Sequence, residues 1–91
     1  MNIENLFEII QSRKQNMPAG SYTTSLFNEG LTRIAQKVGE ESTEVVIAAL
    51  AQDDQRLIEE IADLTFHTLV LLSARGLTPA QVADELERRH K

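Results

Sequence analysis

The chain has 91 residues, no cysteine and a formal net charge of −5. This length predicts a single domain over residues 1–91, and the absence of cysteine excludes disulfides and thiolate metal sites. The negative charge argues against nucleic acid as a partner, because sequence-independent binding to nucleic acid requires a basic face.

The N-terminal part of the chain predicts one helix, from about Ile3 to Gln15. Its apolar face consists of Ile3, Leu6, Phe7 and Ile10, which recur at helical spacing. The residues before this helix lack the basic stretch and apolar run of a signal peptide. Together with the absence of cysteine, this predicts a cytoplasmic protein.

A loop and a long second helix are predicted next. Residues 17–24 contain a proline, a glycine and four hydroxyl side chains, a composition typical of a loop. Thr24 or Ser25 is the expected N-cap of the helix, because a hydroxyl oxygen can accept from the N–H groups of the first turn. The apolar pattern predicts that this helix continues to about Ala51.

Glu41 occupies an unusual position in the predicted second helix. It falls between Val38 and Val45 on the same apolar stripe. A carboxylate on a core-facing stripe is costly unless it is paired or bound to a metal, so this position points to a function. Gly39, two residues earlier, costs about 1 kcal/mol in a helix interior, and we expect it to mark a kink or a close approach of ligand or backbone.

The third helix is predicted to begin after Asp53 or Asp54 and to end at about Arg75, with Gly76 as the terminating residue. Its C-terminal half is apolar nearly all round, which predicts burial on several sides. It is nevertheless too short and too polar to cross a bilayer, so no membrane partner is expected.

A capping box opens the fourth helix at Thr78-Pro79-x-Gln81. We expect this helix to bury Val82, Ala83 and Leu86. No segment alternates as a strand does. The sequence therefore predicts an all-α fold of four helices, in which the short connections favour antiparallel neighbours.

Two acidic blocks lie inside the second and third predicted helices, namely Glu40-Glu41-x-x-Glu44 and Glu60-x-x-Asp63. Residues three apart on a helix are neighbours, so each block directs at least two carboxylates the same way. If the two helices pack antiparallel, the carboxylates of both blocks lie close together. Because like charges at this distance repel one another, the arrangement requires a cation. Oxygen ligands suit Mg²⁺, Mn²⁺ or Ca²⁺, and four carboxylates with no histidine at matched spacing favour Mg²⁺ over iron.

Each candidate has a simpler structural explanation beside the functional one. Glu40 points about 100° away from Glu41 and either orients a ligand or positions water, or pairs with Lys37. Lys37 either reaches phosphate oxygens or forms an i, i+4 pair with Glu41. His67 is a ligand or base, or a hydrogen-bonded core histidine, and the second is the stronger expectation.

The basic and hydroxyl candidates are similarly open. Arg13 and Lys14 either bind phosphate or complement the C-terminal end of their helix. Ser21, Tyr22 and Thr23 either bind a ligand from the loop or serve as turn residues.

The acidic pattern resembles the signature of the all-α nucleoside triphosphate pyrophosphohydrolases, the MazG-like superfamily. Within it, the chain resembles the phosphoribosyl-ATP pyrophosphohydrolases of histidine biosynthesis. The likeness covers nearly the whole chain. It is carried by three segments, residues 20–26 (GSYTTSL), 37–44 (KVGEESTE) and 60–67 (EIADLTFH).

The resemblance implies Mg²⁺-dependent hydrolysis of phosphoribosyl-ATP to phosphoribosyl-AMP and pyrophosphate, with Mn²⁺ as a possible substitute. It implies that Glu41, Glu44, Glu60 and Asp63 are the metal ligands, and that Glu40, Glu41 and Glu44 form the catalytic group. Substrate contacts are expected from Lys37, Tyr22, Thr23, Arg13 and Lys14. The resemblance also implies a helical-bundle homodimer, or a dimer of dimers, whose sites are built by helices of two subunits.

Three other functions compete with this one. A pyrophosphohydrolase acting on free or damaged nucleotides would share the metal site and differ only in its pocket. A non-catalytic helical interaction module would use the acidic face against a basic partner, although Glu41 on the apolar stripe argues against it. A Ca²⁺-binding protein is disfavoured because the EF-hand loop pattern is absent.

Overall fold

The computed structural model describes residues 1–90, and in this range the fold is all-α with no strand. Its five helices are α1 (Ile3–Asn16), α2 (Tyr22–Glu29), α3 (Leu31–Ala51), α4 (Asp54–Ala74) and α5 (Pro79–Arg89). The all-α prediction is confirmed. Among the described residues, no helix combines the length and apolar character needed to span a membrane.

The predicted count of four helices is wrong, because the long second helix is divided at Gly30. This residue has φ +94° and ψ 177°, a backbone conformation that side chains rarely permit. The predicted N-cap is also wrong. Ser21 caps α2 by accepting from the Thr24 N–H at 3.2 Å, so the helix begins at Tyr22, inside the segment expected to be a loop.

The other predicted helix ends agree with the structure. Asp53 caps α4 by accepting from the Arg56 N–H at 2.9 Å, and Gly76 follows its end with φ +71°. Thr78 and Gln81 form the capping box of α5, with proline in its first turn. Gly39 lies within continuous α3, and a Cβ added there would meet nothing within 4 Å, so no other part of the backbone approaches it closely.

A small core joins the first four helices. Its buried members are Ile10, Leu26, Ile34, Leu69 and Val70, with Phe7, Phe27 and Phe66 among the side chains packed against them. The expected burial of α5 is wrong, since Val82 and Leu86 are 46% and 53% exposed and no residue of this helix is buried. α3 and α4 pack along much of their length as an antiparallel pair, and this pair positions the acidic blocks.

Candidate active site

Three carboxylates from α3 and α4 meet where the two helices pack. Oxygen atoms of Glu41, Glu60 and Asp63 lie within 4.8 Å of one another. Glu41 is directed inward because it lies on the buried side of α3 with Ile34 and Ala48. Glu60 and Asp63 are one turn apart on α4, so both reach the same place. We refer to these three residues as the acidic cluster.

Two oxygen atoms of the acidic cluster are buried without a hydrogen-bond partner among the described residues. They are Oε2 of Glu41 and Oε2 of Glu60, on residues that are 6% and 4% exposed. Burying a carboxylate oxygen without a partner is costly, and three carboxylates this close repel one another. The donor set therefore fits a hard divalent cation.

Two basic side chains partly neutralise the acidic cluster, one from each helix. Nζ of Lys37 lies 3.2 Å from Oε1 of Glu41, and a guanidinium nitrogen of Arg56 lies 2.5 Å from Oε1 of Glu60. In both carboxylates the basic group engages Oε1 and leaves Oε2 unpaired. Each glutamate thus has one oxygen paired with a protein cation and one available to a ligand.

The ammonium of Lys37 is held in its charged form. Burial alone would lower its pKa, but the hydrogen bond to Glu41 raises it, and Tyr22 and Glu40 add smaller contributions in the same direction. The net result is a pKa above the ordinary value of 10.5. Lys37 therefore carries a full positive charge beside the acidic cluster at neutral pH.

The other two residues of the first acidic block lie at the edge of the cluster. Glu40 is exposed and pairs with both Lys37 and Arg33 at 3.4 Å, as the simpler explanation anticipated. Glu44 is outside the group of three, but it lines a cavity of about 260 Å³ together with Glu60 and Arg56. The structure thus brings together three of the four predicted metal ligands and places the fourth beside them.

Tyr22 joins the site through His67. The Tyr22 hydroxyl lies 2.9 Å from Nε2 of His67, and Nδ1 of His67 lies 2.7 Å from the carbonyl oxygen of Asp63. His67 is buried and hydrogen-bonded, as its simpler explanation anticipated. Thr23 is half-buried beside Tyr22 in the first turn of α2.

Arg13 and Lys14 do not reach the acidic cluster. Nζ of Lys14 donates to the carbonyl of Ser73 at 2.5 Å, near the C-terminal end of α4. Ser73 lies ten residues beyond Asp63 on the same helix, which corresponds to about 15 Å. Both residues belong to the last turn of α1, so their charges complement the end of that helix.

The sequence analysis missed two residues of this region. Arg56 pairs with Glu59 and Glu60, a contact that its i, i+4 spacing from Glu60 could have indicated. Thr24 has a buried hydroxyl with no partner among the described residues, beside an open depression of about 400 Å³ that Tyr22 also lines. Thr24 was missed because it was expected at the end of a loop.

Comparison with known proteins agrees with this geometry. A sequence profile described as "Phosphoribosyl-ATP pyrophosphohydrolase" matches residues 3–90. A phosphoribosyl-ATP pyrophosphatase of Saccharolobus solfataricus is 46% identical over 89 residues, covering 98% of this chain and 95% of the relative. The protein of the same name from Sulfolobus acidocaldarius is 49% identical, with 98% and 94% covered.

These relatives match almost end to end, and the matched region includes all five helices and every residue of the acidic cluster. The sequence identities of 46% and 49% are higher than proteins that share only a fold usually have. The profile match covers nearly the whole chain. The chain belongs to the phosphoribosyl-ATP pyrophosphohydrolase family.

Proposed function

We propose that this protein hydrolyses phosphoribosyl-ATP to phosphoribosyl-AMP and pyrophosphate, a step of histidine biosynthesis. Water adds across the α,β-phosphoanhydride: its oxygen bonds to one of the two phosphorus atoms, the bond from that phosphorus to the bridging oxygen breaks, and the other product leaves with the bridging oxygen while the protons of water are released. The observation that carries this proposal is the pair of buried, unpartnered carboxylate oxygens on Glu41 and Glu60, within the segments that match the family. We infer one domain over residues 1–91 in the cytoplasm.

We propose Mg²⁺ as the cofactor, with Mn²⁺ as a possible substitute. Glu41, Glu60 and Asp63 would hold the ion, and Glu44 would join them from the adjoining cavity. When bound, Mg²⁺ would neutralise phosphate oxygens and lower the pKa of a water molecule. The carboxylates would restrict the attacking water to one side of the anhydride, and Glu40 at the rim would orient it.

Substrate contacts follow from the charges around the acidic cluster. Lys37 is a permanent cation beside Glu41, so it is suited to bind a phosphate oxygen. Tyr22 and Thr23 line the approach from α2. Arg13 and Lys14 are at the end of α1, where Lys14 contacts α4 at Ser73, and we propose that they contact the distant end of this long substrate, such as the ribose 5-phosphate.

We propose that the protein works as a homodimer or a dimer of dimers. The isolated chain exposes 6163 Å², whereas a folded monomer of its mass exposes about 5,300 Å². Its radius of gyration is 14.2 Å, compared with about 12 Å for a compact domain of this length. This loose packing, together with the unburied α5, supports association with a second copy.

The decisive test is Mg²⁺-dependent release of pyrophosphate from phosphoribosyl-ATP, measured beside ATP and the common dNTPs. Glu41→Gln is the test variant, since it removes one ligand and one repelling charge. We expect turnover selective for phosphoribosyl-ATP in the parent protein and a loss of at least about a hundredfold in the variant. The apo stability of the variant should change little.

Other outcomes would redirect the assignment. Preferential turnover of a dNTP would retain the metal site and move the protein to the pyrophosphohydrolases of free nucleotides. No turnover of any substrate, combined with no stabilisation by Mg²⁺, would leave the acidic cluster as an interaction surface. Severe unfolding of Glu41→Gln with normal activity in the folded fraction would contradict its role as a ligand.

A further inference from the structure

The hydrogen bonds of His67 fix its tautomer. Nδ1 lies 2.7 Å from the carbonyl oxygen of Asp63. A carbonyl oxygen only accepts, so Nδ1 must carry the proton, and in the neutral ring Nε2 is then an acceptor. The opposite tautomer would set a nitrogen lone pair against the carbonyl oxygen. With the ring neutral, the Tyr22 hydroxyl, 2.9 Å from Nε2, donates its proton to His67.

This hydrogen bond determines what Tyr22 can offer to a ligand. A phenol has one proton, and here that proton is directed into the protein. Tyr22 is 52% exposed, so much of this residue is open to a ligand. Its ring is supported by Phe66, with centroids 6.1 Å apart and planes at 29°, and by the edge of His67 at 5.8 Å. Tyr22 is thus held as a hydrogen-bond acceptor on a rigid aromatic support.

We propose that His67 is a positioning residue, which holds the Tyr22 oxygen as an acceptor for a donor group of the substrate, such as a sugar hydroxyl or an N–H group. The ligand part of this inference rests on the proposed function, because it refines which part of phosphoribosyl-ATP Tyr22 contacts. Phosphate oxygens without a proton only accept, so Tyr22 is not a phosphate contact. Lys37, close by on α3, fills that role instead.

The first test is the tautomer itself. Long-range ¹⁵N–¹H correlation spectra of the whole protein, labelled with ¹⁵N, distinguish the two nitrogen atoms of each histidine ring. We expect His67 to carry its proton on Nδ1 at neutral pH. A proton on Nε2 would overturn the proposal, because Tyr22 would then be the acceptor of that bond and its own proton would be available to a phosphate.

The second test uses the fluorescence of Tyr22. The chain has one tyrosine and no tryptophan, so its emission reports on this side chain alone. A phenol that donates to an imidazole is quenched, because the excited phenol transfers its proton. We expect emission to rise in His67→Phe, which keeps a ring but removes the acceptor. Unchanged emission in a folded His67→Phe variant would overturn the proposal.

His90→Phe is the matched control. The His90 ring makes the same kind of contact, from Nδ1 to the carbonyl of Leu86 at 2.7 Å, but it is an exposed residue that directly follows α5. We expect its substitution to leave the emission unchanged. The tautomer and the emission are both measured without substrate, so they decide the positioning role even if the protein failed to hydrolyse phosphoribosyl-ATP.

The third test separates positioning from general structural support. Losing one substrate hydrogen bond should raise KM about two- to tenfold in Tyr22→Phe and His67→Phe, with kcat little changed. The double variant should be no worse than Tyr22→Phe, since His67 acts through the phenol. His67→Gln, whose amide oxygen can accept from Tyr22, should recover part of the loss. Additive effects in the double variant, or a loss confined to kcat, would overturn the proposal.

Discussion

Glu59 and Glu60 are adjacent in sequence and both pair with Arg56, yet their surroundings differ. Glu60 is 4% exposed and has an unpartnered buried oxygen, whereas Glu59 is exposed. A carboxylate that is buried as Glu60 is destabilises the fold unless a cation binds its free oxygen. A carboxylate that is exposed as Glu59 is stabilised by water. This contrast separates a proposed metal ligand from a surface charge by one residue.

We therefore expect Glu60→Gln to abolish the stabilisation by Mg²⁺ and Glu59→Gln to retain it. An ion present at a hundred times its dissociation constant stabilises the folded state by about 2.7 kcal/mol. The measurement is the thermal midpoint of each protein as a function of Mg²⁺ concentration. An equal Mg²⁺ response in both variants would show that the ion binds elsewhere.

Residue-level chemistry was the most predictable part of the site. The position of Glu41 on an apolar stripe indicated its burial, because the helical period near that residue is regular. The contact between Tyr22 and His67 was not predictable, since 45 residues separate the two and only the packing of α2 against α4 joins them. The placement of Lys14 at Ser73 has the same long-range origin.

At the scale of the helices, Gly30 and Gly39 are the two glycines of the region that the sequence joined into one helix. A Cβ would meet nothing within 4 Å at either position, so only the backbone conformation distinguishes them. Gly30 adopts φ +94° and ψ 177°, which is nearly restricted to glycine, while Gly39 is helical. An isolated glycine inside an apolar pattern does not reveal this difference, and for that reason the break was missed.

We expect opposite effects from the same substitution at these two positions. Gly30→Ala should destabilise the fold by about 1–3 kcal/mol through backbone strain. Gly39→Ala should stabilise it by up to about 1 kcal/mol, because alanine has the higher helix propensity. Chemical denaturation of both variants provides the measurement. A gain in stability for Gly30→Ala would mean that α2 and α3 can form one continuous helix.

Helix α5 depends on local interactions, because none of its residues is buried in the chain. Thr78 and Gln81 cap its start, and Glu85 pairs with Arg88 and Arg89 near its end. The sequence signal for its start was therefore accurate. Its burial was predicted wrongly, since an amphipathic pattern indicates that a face needs a cover and not which chain provides it.

Removing the cap of α5 should loosen this helix alone. Thr78→Ala should lower the stability of α5 by about 1 kcal/mol. This loss corresponds to amide exchange in α5 that is about fivefold faster. Thr43→Ala removes a hydroxyl that bonds to Gly39 within α3 and is not a cap, so it should leave exchange in α5 unchanged. The measurement is hydrogen exchange resolved by helix. Equal effects from the two variants would show that the capping box contributes nothing specific to α5.

At the scale of the whole molecule, one group of exposed apolar side chains lies on the hairpin of α3 and α4. The exposed large apolar side chains near the connection of the two helices are Val46 (56%), Ile47 (49%), Leu50 (84%), Ile58 (61%) and Ile61 (46%). Ile47 also lines the cavity of Glu44 and Glu60. A second copy on this surface would bury the apolar side chains and close the edge of the acidic cluster at the same time. Activity would then depend on association of the two copies.

We expect the parent protein to sediment at a multiple of its 10.2 kDa mass, and Val46→Glu and Ile58→Glu to dissociate it, because each places a charge in an apolar contact. Ile9→Glu, on α1 and 37% exposed, is the control and should leave the mass unchanged. Leu86→Glu tests α5 as the alternative surface. If only Leu86→Glu dissociates the assembly, the dimer is built on α5 and the acidic cluster lies outside the interface. If the hairpin variants dissociate it and also weaken the response to Mg²⁺, the partner chain completes the metal site.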